Sequence, residues 1–118
     1  MKMLQFEETR TMLKPIIDRL NVQGLIYKNL EEVQPGSLGI RNRIRLFAAT
    51  DRRGYYTAIF VVAQKSRLLM KDVEKLEHIL RKLELYAEHA FKQRVLMLDA
   101  PLCSKAEAAL KQQGWKII

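Results

Sequence analysis

The chain lacks most of what staples small domains together. It has one cysteine, Cys103, which has no partner for an internal disulfide. Its two histidines, His78 and His89, stand alone, so no zinc-type ligand spacing exists, and with no nucleophile near them in sequence they support no hydrolase triad. The longest uninterrupted apolar run, Ala58 to Ala63, is far shorter than the roughly 20 residues that a membrane-crossing helix needs. The opening segment, MKMLQFEETR, carries acids where a secretory signal would be apolar. The expectation is a soluble, intracellular, cytoplasmic protein with no membrane association. Repeats and low-complexity stretches are absent too, and 118 residues with 48% hydrophobic content suit one domain with one core.

Acidic residues are scarce in one particular place. The net charge is +8, yet residues 1–40 hold five basic and five acidic side chains, and residues 72–118 hold eight and seven. Between them, Arg41, Arg43, Arg45, Arg52, Arg53, Lys65, Arg67 and Lys71 face Asp51 alone. Nearly the whole excess therefore sits in 41–71, where a concentrated positive field attracts polyanions by releasing counterions from phosphates. The plainer alternative is a solvated basic face that keeps a small protein in solution.

Hydrophobic periodicity gives the order of elements. Phe6, Met12, Leu13, Ile16, Ile17 and Leu20 predict a helix over Leu4 to Leu20, kinked or split in two by Pro15. Leu25 to Leu30 predicts a short strand, and QPGSLG at 34–39 a loop without the spacing of a phosphate-binding glycine motif. From Arg41 the period changes to two. Ile44, Leu46 and Ala48 face one way and Arg43, Arg45 and Phe47 the other, which predicts a half-buried strand with a basic outer face. Asp51, Arg52, Arg53 and Gly54 form a hairpin turn into a strand from Tyr55 to Ala63, apolar on both faces and therefore central.

Next come Val73, Leu76, Ile79, Leu80, Leu83, Tyr86, Ala87, Ala90 and Phe91, the stripe of a long amphipathic helix whose charged side includes Glu74, Glu77 and Glu88. Val95 to Leu98 reads as a strand. Ser104 and Glu107 have capping-box spacing and open a helix that Gly114 ends, and Trp115 to Ile118 makes a last edge strand. The expected fold is α/β, a central mixed sheet built from an antiparallel hairpin and a strand–helix–strand crossover, flanked by helices.

An antiparallel pair, a crossover helix and a further strand, with Lys65 at the tip of the second strand and KSRLLMKDVEKLEHILRKLELY running into the helix, resembles the PD-(D/E)XK nuclease superfamily. The similarity runs from Ile44 to Ile118, about two thirds of the chain. It implies a restriction-endonuclease-like fold over 1–118. In that family, an acid on one strand and a second acid two residues before the lysine hold magnesium, while the lysine orients the attacking water. By the resemblance Lys65 is that lysine. The second acid falls on Ala63 and the first near Arg45, with Asp51 the nearest carboxylate, so both metal-holding positions depart from the pattern.

The resemblance and the local charge together imply a nuclease-fold protein that has lost its metal site, uses no cofactor, binds nucleic acid through its basic surface and pairs as a homodimer. Arg43, Arg45, Arg52, Arg53, Gln64, Lys65, Ser66 and Arg67 are the candidate contacts, with Tyr55 and Tyr56 as stacking rings or ordinary strand residues. Lys65 either touches phosphate or extends its ammonium into solvent, and Gln64 and Ser66 either donate to phosphate or end the strand. Two rival readings remain open. One is an active magnesium-dependent nuclease with Lys65 and Asp51 catalytic and carboxylates relocated to Asp51, Asp72, Glu74 or Glu77. The other is a protein-interaction domain for an acidic partner. Tyr86 and Trp115 are expected to pack, and Cys103 to behave as a small buried apolar side chain.

Overall fold

The computed structural model describes residues 13–39 and 44–118. Among these, the order is α1 (13–22), β1 (Tyr27–Val33), a 3-10 turn (Pro35–Leu38), β2 (Arg45–Asp51), β3 (Tyr56–Ala63), α2 (Met70–Ala87), β4 (Gln93–Asp99), α3 (Ser104–Gln112) and β5 (Trp115–Ile117). This is the predicted succession. The helix continues through Pro15, while Phe6, Met12, Arg41 and Arg43 lie outside the described residues. No described helix is long and apolar enough to cross a membrane.

The strands pair in chain order, β1-β2-β3-β4-β5. β2 runs antiparallel to its neighbours β1 and β3, and β3, β4 and β5 run parallel. A mixed sheet follows from the connections: four turn residues can only reverse the chain, whereas α2 is long enough to carry it back for a parallel strand. β3 sits at the centre. Its alternate residues Ala58, Phe60 and Val62 join Val73, Leu76, Ile79, Leu80, Leu83, Ala106, Leu110 and Trp115 in a core under α2 and α3. Ile59, on the opposite face, packs with Phe47, Ala49, Val95 and Met97 beneath Ile16 and Leu20 of α1. Arg19 fixes α1 across that face, donating to the Asp99 carboxylate at 2.8 Å and to the carbonyls of Leu98 and Ile118 at 3.1 and 2.7 Å.

Covering by α1 corrects the expectation of a basic outer face on β2. Phe47 and Ala49 are buried, so β2 is sandwiched like β3. Its remaining polar member, Arg45, forms a bidentate pair with Glu32 of β1 at 2.9 and 3.0 Å, its guanidinium lying 5.3 Å from the centre of the Phe47 ring. β1 is the edge beyond. It is longer than expected, and its register with β2 shifts between Tyr27 and Asn29.

The hairpin forms where Asp and Gly placed it. One carboxylate oxygen of Asp51 accepts from the backbone N–H groups of Arg53 and Tyr55, both at 2.9 Å, and Gly54 adopts φ 90°, which an L side chain rarely does. Replacing Asp51 by alanine removes the acceptor of both bonds and should cost about 1–2 kcal/mol in urea unfolding, whereas Asp51→Asn keeps an acceptor oxygen and should cost less. Equal losses in the two variants would show that the carboxyl oxygen does not hold the turn.

Three local expectations fail for identifiable reasons. α2 stops at Ala87, with Glu88 left-handed at φ 61°, so Tyr86 is 56% exposed rather than packed and Ala90 falls outside the helix. Glu77 is not on a solvated face: it accepts from the Trp115 indole at 2.8 Å and from Arg94 at 3.3 Å. The helix from Ser104 begins one residue earlier in capping terms, with Cys103 at the N-cap and its carbonyl accepting from Glu107 N–H, so no Ser–Glu capping box forms.

Candidate nucleic-acid interface at the carboxyl end of the central strand

Where a parallel pair meets an antiparallel one, the chain leaves β3 and β4 at the same end of the sheet and then turns away to α2 and α3. Gln64 N–H bonds to the Asp99 carbonyl at 3.1 Å, Leu68 N–H to the Pro101 carbonyl at 2.8 Å, and Cys103 N–H to the Leu68 carbonyl at 3.1 Å, which ties the two departing segments together. Beside the first of these segments, between Ile44 ahead of β2 and the start of α2, lies a cavity of about 90 Å³ lined by Ile44, Val62, Gln64, Leu68, Asp72, Lys75 and Leu76.

Alternation decides which side chains reach this cavity. Val62 faces α2, so Ala63 follows Ile59 and Val61 onto the α1 face, and Lys65, exposed beyond it, is not part of the cavity wall. The polar groups present are Gln64, Asp72 and Lys75. Gln64 turns its amide nitrogen onto the Ser66 carbonyl and hydroxyl at 3.0 and 3.2 Å, so this pair closes the end of the strand. Asp72 accepts from Leu69 N–H at 2.8 Å and so satisfies a donor ahead of the first turn of α2.

A divalent ion of the kind the resemblance implies needs several converging hard oxygens. Two carboxylates occupy this end, Asp72 on the α2 face and Asp99 beside Ala63 in the β3–β4 register, and both have partners already, Leu69 N–H and Arg19. They lie on opposite faces of the sheet. The position near the family's first acid is the Arg45–Glu32 pair. Residues 40–43, which precede β2, contain no acid in the sequence, and no group of three His, Cys, Asp or Glu side chains suited to a metal exists among the described residues. The donor set does not fit a two-carboxylate magnesium centre.

Asp51 and Lys65 are not brought together. Asp51 lies in the turn that begins β3 and Lys65 beyond the end of it, and eight strand residues at about 3.3 Å each put roughly 25 Å between them. The same reversal divides the basic stretch. Arg52 and Arg53 are exposed at the hairpin end, while Lys65, Arg67 and Lys71 are exposed at the crossover end, where Lys75 joins them from α2. These last four have no ion-pair partner among the described residues.

Tyr55 and Tyr56 belong to the hairpin end as well. Tyr56 stacks on His89 with centroids 3.6 Å apart, and Lys92 Nζ lies 3.8 Å from the centre of the Tyr55 ring. Sequence reasoning misses Lys75 and Asp99. The basic stretch ends at Lys71 in the chain, and Asp99 sits in a turn whose nearness to Ala63 emerges only once β4 is in register.

Lys71 occupies the second residue of α2, and Met70 and Lys71 precede Asp72 at the helix end where the dipole is already positive. A cation there opposes the helix by about 0.3–1 kcal/mol and adds to the local positive field. The Cys103 thiol, half-buried at the start of α3 and not an enclosed apolar side chain, has its pKa drawn down chiefly by the backbone N–H groups of Ala106 and Lys105. Slight burial opposes that shift, and the charges of Arg67 and Lys105 add to it.

No protein-family model matches the chain, and no curated protein matches it in sequence. Solved structures match it in fold. A repair endonuclease from Pyrococcus abyssi superposes with a TM-score of 0.53 at 15% identity, covering 90% of this chain and 43% of the other. The apo form of EndoMS superposes with a TM-score of 0.51 at 14% identity, covering 88% and 44%. The chain thus spans less than half the length of either protein, and its α/β architecture is similar to a fold found in repair endonucleases.

Proposed function

We propose that this protein is a nuclease-fold module that binds nucleic acid at the carboxyl end of β3 without cleaving it. The observation that carries the reading is the set Lys65, Arg67, Lys71 and Lys75, cations without ion-pair partners among the described residues, gathered around a helix N-terminus, beside a cavity whose carboxylate already caps that helix. Phosphate contacts ask for little more than cations within reach of the backbone, whereas phosphodiester hydrolysis needs charge neutralisation that one engaged carboxylate cannot organise through a metal. The nuclease-fold likeness supports nucleic acid as the polyanion.

Four phosphate contacts predict a log–log slope of affinity against salt of about −3 to −4, which is about a 10²-fold loss between 50 and 200 mM. A 30-base-pair duplex titrated by fluorescence anisotropy at several salt concentrations measures it. Absence of binding at low salt overturns the reading. A parallel assay with supercoiled plasmid in magnesium or manganese should show no nicking; cleavage lost on Lys65→Ala would establish the active nuclease instead.

A further inference from the structure

The opposite end of the sheet holds a larger cavity that the crossover-end interface does not use. It measures about 350 Å³ and is lined by Gly24, Leu25, Ile26 and Tyr27 between α1 and β1, by Asp51, Arg52 and Arg53 of the hairpin, and by Gln93 at the start of β4. That volume lies at the lower end of the range for small-ligand clefts, about 300–1,000 Å³.

Its chemistry is specific. Arg52 and Arg53 are exposed guanidinium groups with no ion-pair partner among the described residues. Ile26 keeps 50% of its surface exposed beside them. The Tyr27 hydroxyl is buried away from the open space, so the rest of the residue lines the cavity. Burial raises the hydroxyl's pKa, and the Asp51 charge adds to the effect; the Thr57 hydroxyl nearby offsets part of it without forming a well-shaped bond. Thr57 instead donates to Gln93 Oε1 at 3.0 Å, which leaves the Gln93 amide nitrogen without a described partner and turned to donor duty. Asp51 spends one oxygen on the turn and keeps the other.

We propose that this cavity binds a nucleotide unit bearing a phosphate monoester. Two guanidinium groups suit a phosphate, which they grip in paired, planar hydrogen bonds. The apolar wall of Leu25 and Ile26 suits a base, the spare oxygen of Asp51 a sugar hydroxyl, and the Gln93 amide the polar edge of the ligand. An inorganic anion alone would leave the apolar wall unused. The same unit has two sources, a free nucleoside monophosphate or the 5′-phosphorylated end of a strand. The proposal does not rest on the interface at the other end of the sheet, some 25 Å away by the length of β3.

Calorimetric titration of the full chain with adenosine 5′-monophosphate, and anisotropy with 12-mer strands carrying either a 5′-phosphate or a 5′-hydroxyl, test it. The wild-type chain should bind the monophosphate, the 5′-phosphorylated strand in preference to its hydroxyl counterpart, or both. Arg52→Ala/Arg53→Ala should weaken that binding at least ten-fold. Lys105→Ala/Lys116→Ala, at exposed cations that do not line the cavity, should leave the 5′-phosphate preference and the monophosphate affinity unchanged. Preference for the phosphorylated strand without monophosphate binding assigns the strand end, and the converse assigns the free nucleotide. No binding of the monophosphate at millimolar concentration together with no 5′-phosphate preference overturns the proposal, as does binding that survives loss of both arginines. All these variants are to be checked by thermal unfolding; Arg52→Lys/Arg53→Lys, which retains charge and turn, should bind with intermediate affinity and guards against a folding artefact.

Discussion

Phe60→Ala should lower stability by about 3–5 kcal/mol, and the thermal midpoint by more than roughly 10 °C. Phe60 is fully buried on β3, the strand that every other layer leans on, and its ring meets the Trp115 indole at 5.1 Å and 59°, the tilted arrangement that adds about 0.5–1.5 kcal/mol beyond burial. Alanine would leave a void walled by strands on either side, which cannot close in without breaking their ladders. Since small domains keep about 5–15 kcal/mol in total, the variant would be marginal. Phe60→Leu keeps most of the volume and should lose clearly less. A urea midpoint for Phe60→Ala within about 1 kcal/mol of wild type would mean that the centre of the sheet is not packed as described.

Reversing three charges at the crossover end, with Lys65→Glu, Arg67→Glu and Lys71→Glu together, should abolish duplex binding, a loss of about 10³-fold or more at 50 mM salt, and flatten the salt dependence. All three side chains are exposed, so folding should survive. Lys71→Glu even places an acid in the first turn of α2, which favours the helix by about 0.3–1 kcal/mol. The same change in net charge made at Lys105, Lys111 and Lys116 is the control. Lys111 is already paired with Glu107 at 3.1 Å, and Lys116 lies on β5. A modest effect is expected there. If control and test variants lose affinity equally, attraction is a property of the whole molecule's charge and the crossover end has no special part.

Periodicity alone carried the element order, the central position of β3 and the hairpin, because each depends on neighbours within a few residues: Asp51 and Gly54 for the turn, the unbroken run from Ala58 for double-sided burial. Features that depend on distant partners were illegible. Phe47 looked like part of an exposed face because nothing local announces that α1 returns over it. Glu77 looked solvated because Trp115 and Arg94 reach it from later in the chain. Tyr86 keeps the helical period but lies in the last turn of α2, which ends at Ala87 before a left-handed Glu88 that no glycine or proline signalled.

How the basic stretch is laid out over the sheet could not be read from the chain. A basic stretch contiguous in sequence is folded back on itself by the hairpin, so Arg52 and Arg53 end up a strand's length from Lys65, Arg67 and Lys71. The resemblance placed Ala63 and Lys65 where a reaction centre belongs, yet the cavity beside α2 is lined by the intervening face, Val62 and Gln64. A shift of one residue moves every side chain of a strand to the other face, and pattern matching without the sheet cannot detect it.

The margins of the sheet bear on how the protein behaves at high concentration. β5 offers only three residues, and β1 presents a register break together with Lys28 and Glu31, both exposed. Neither border is a long, flat, uncharged row of unpaired amides, so a second molecule arriving edge-on finds little to zip against, and growth into ribbons is discouraged from both sides.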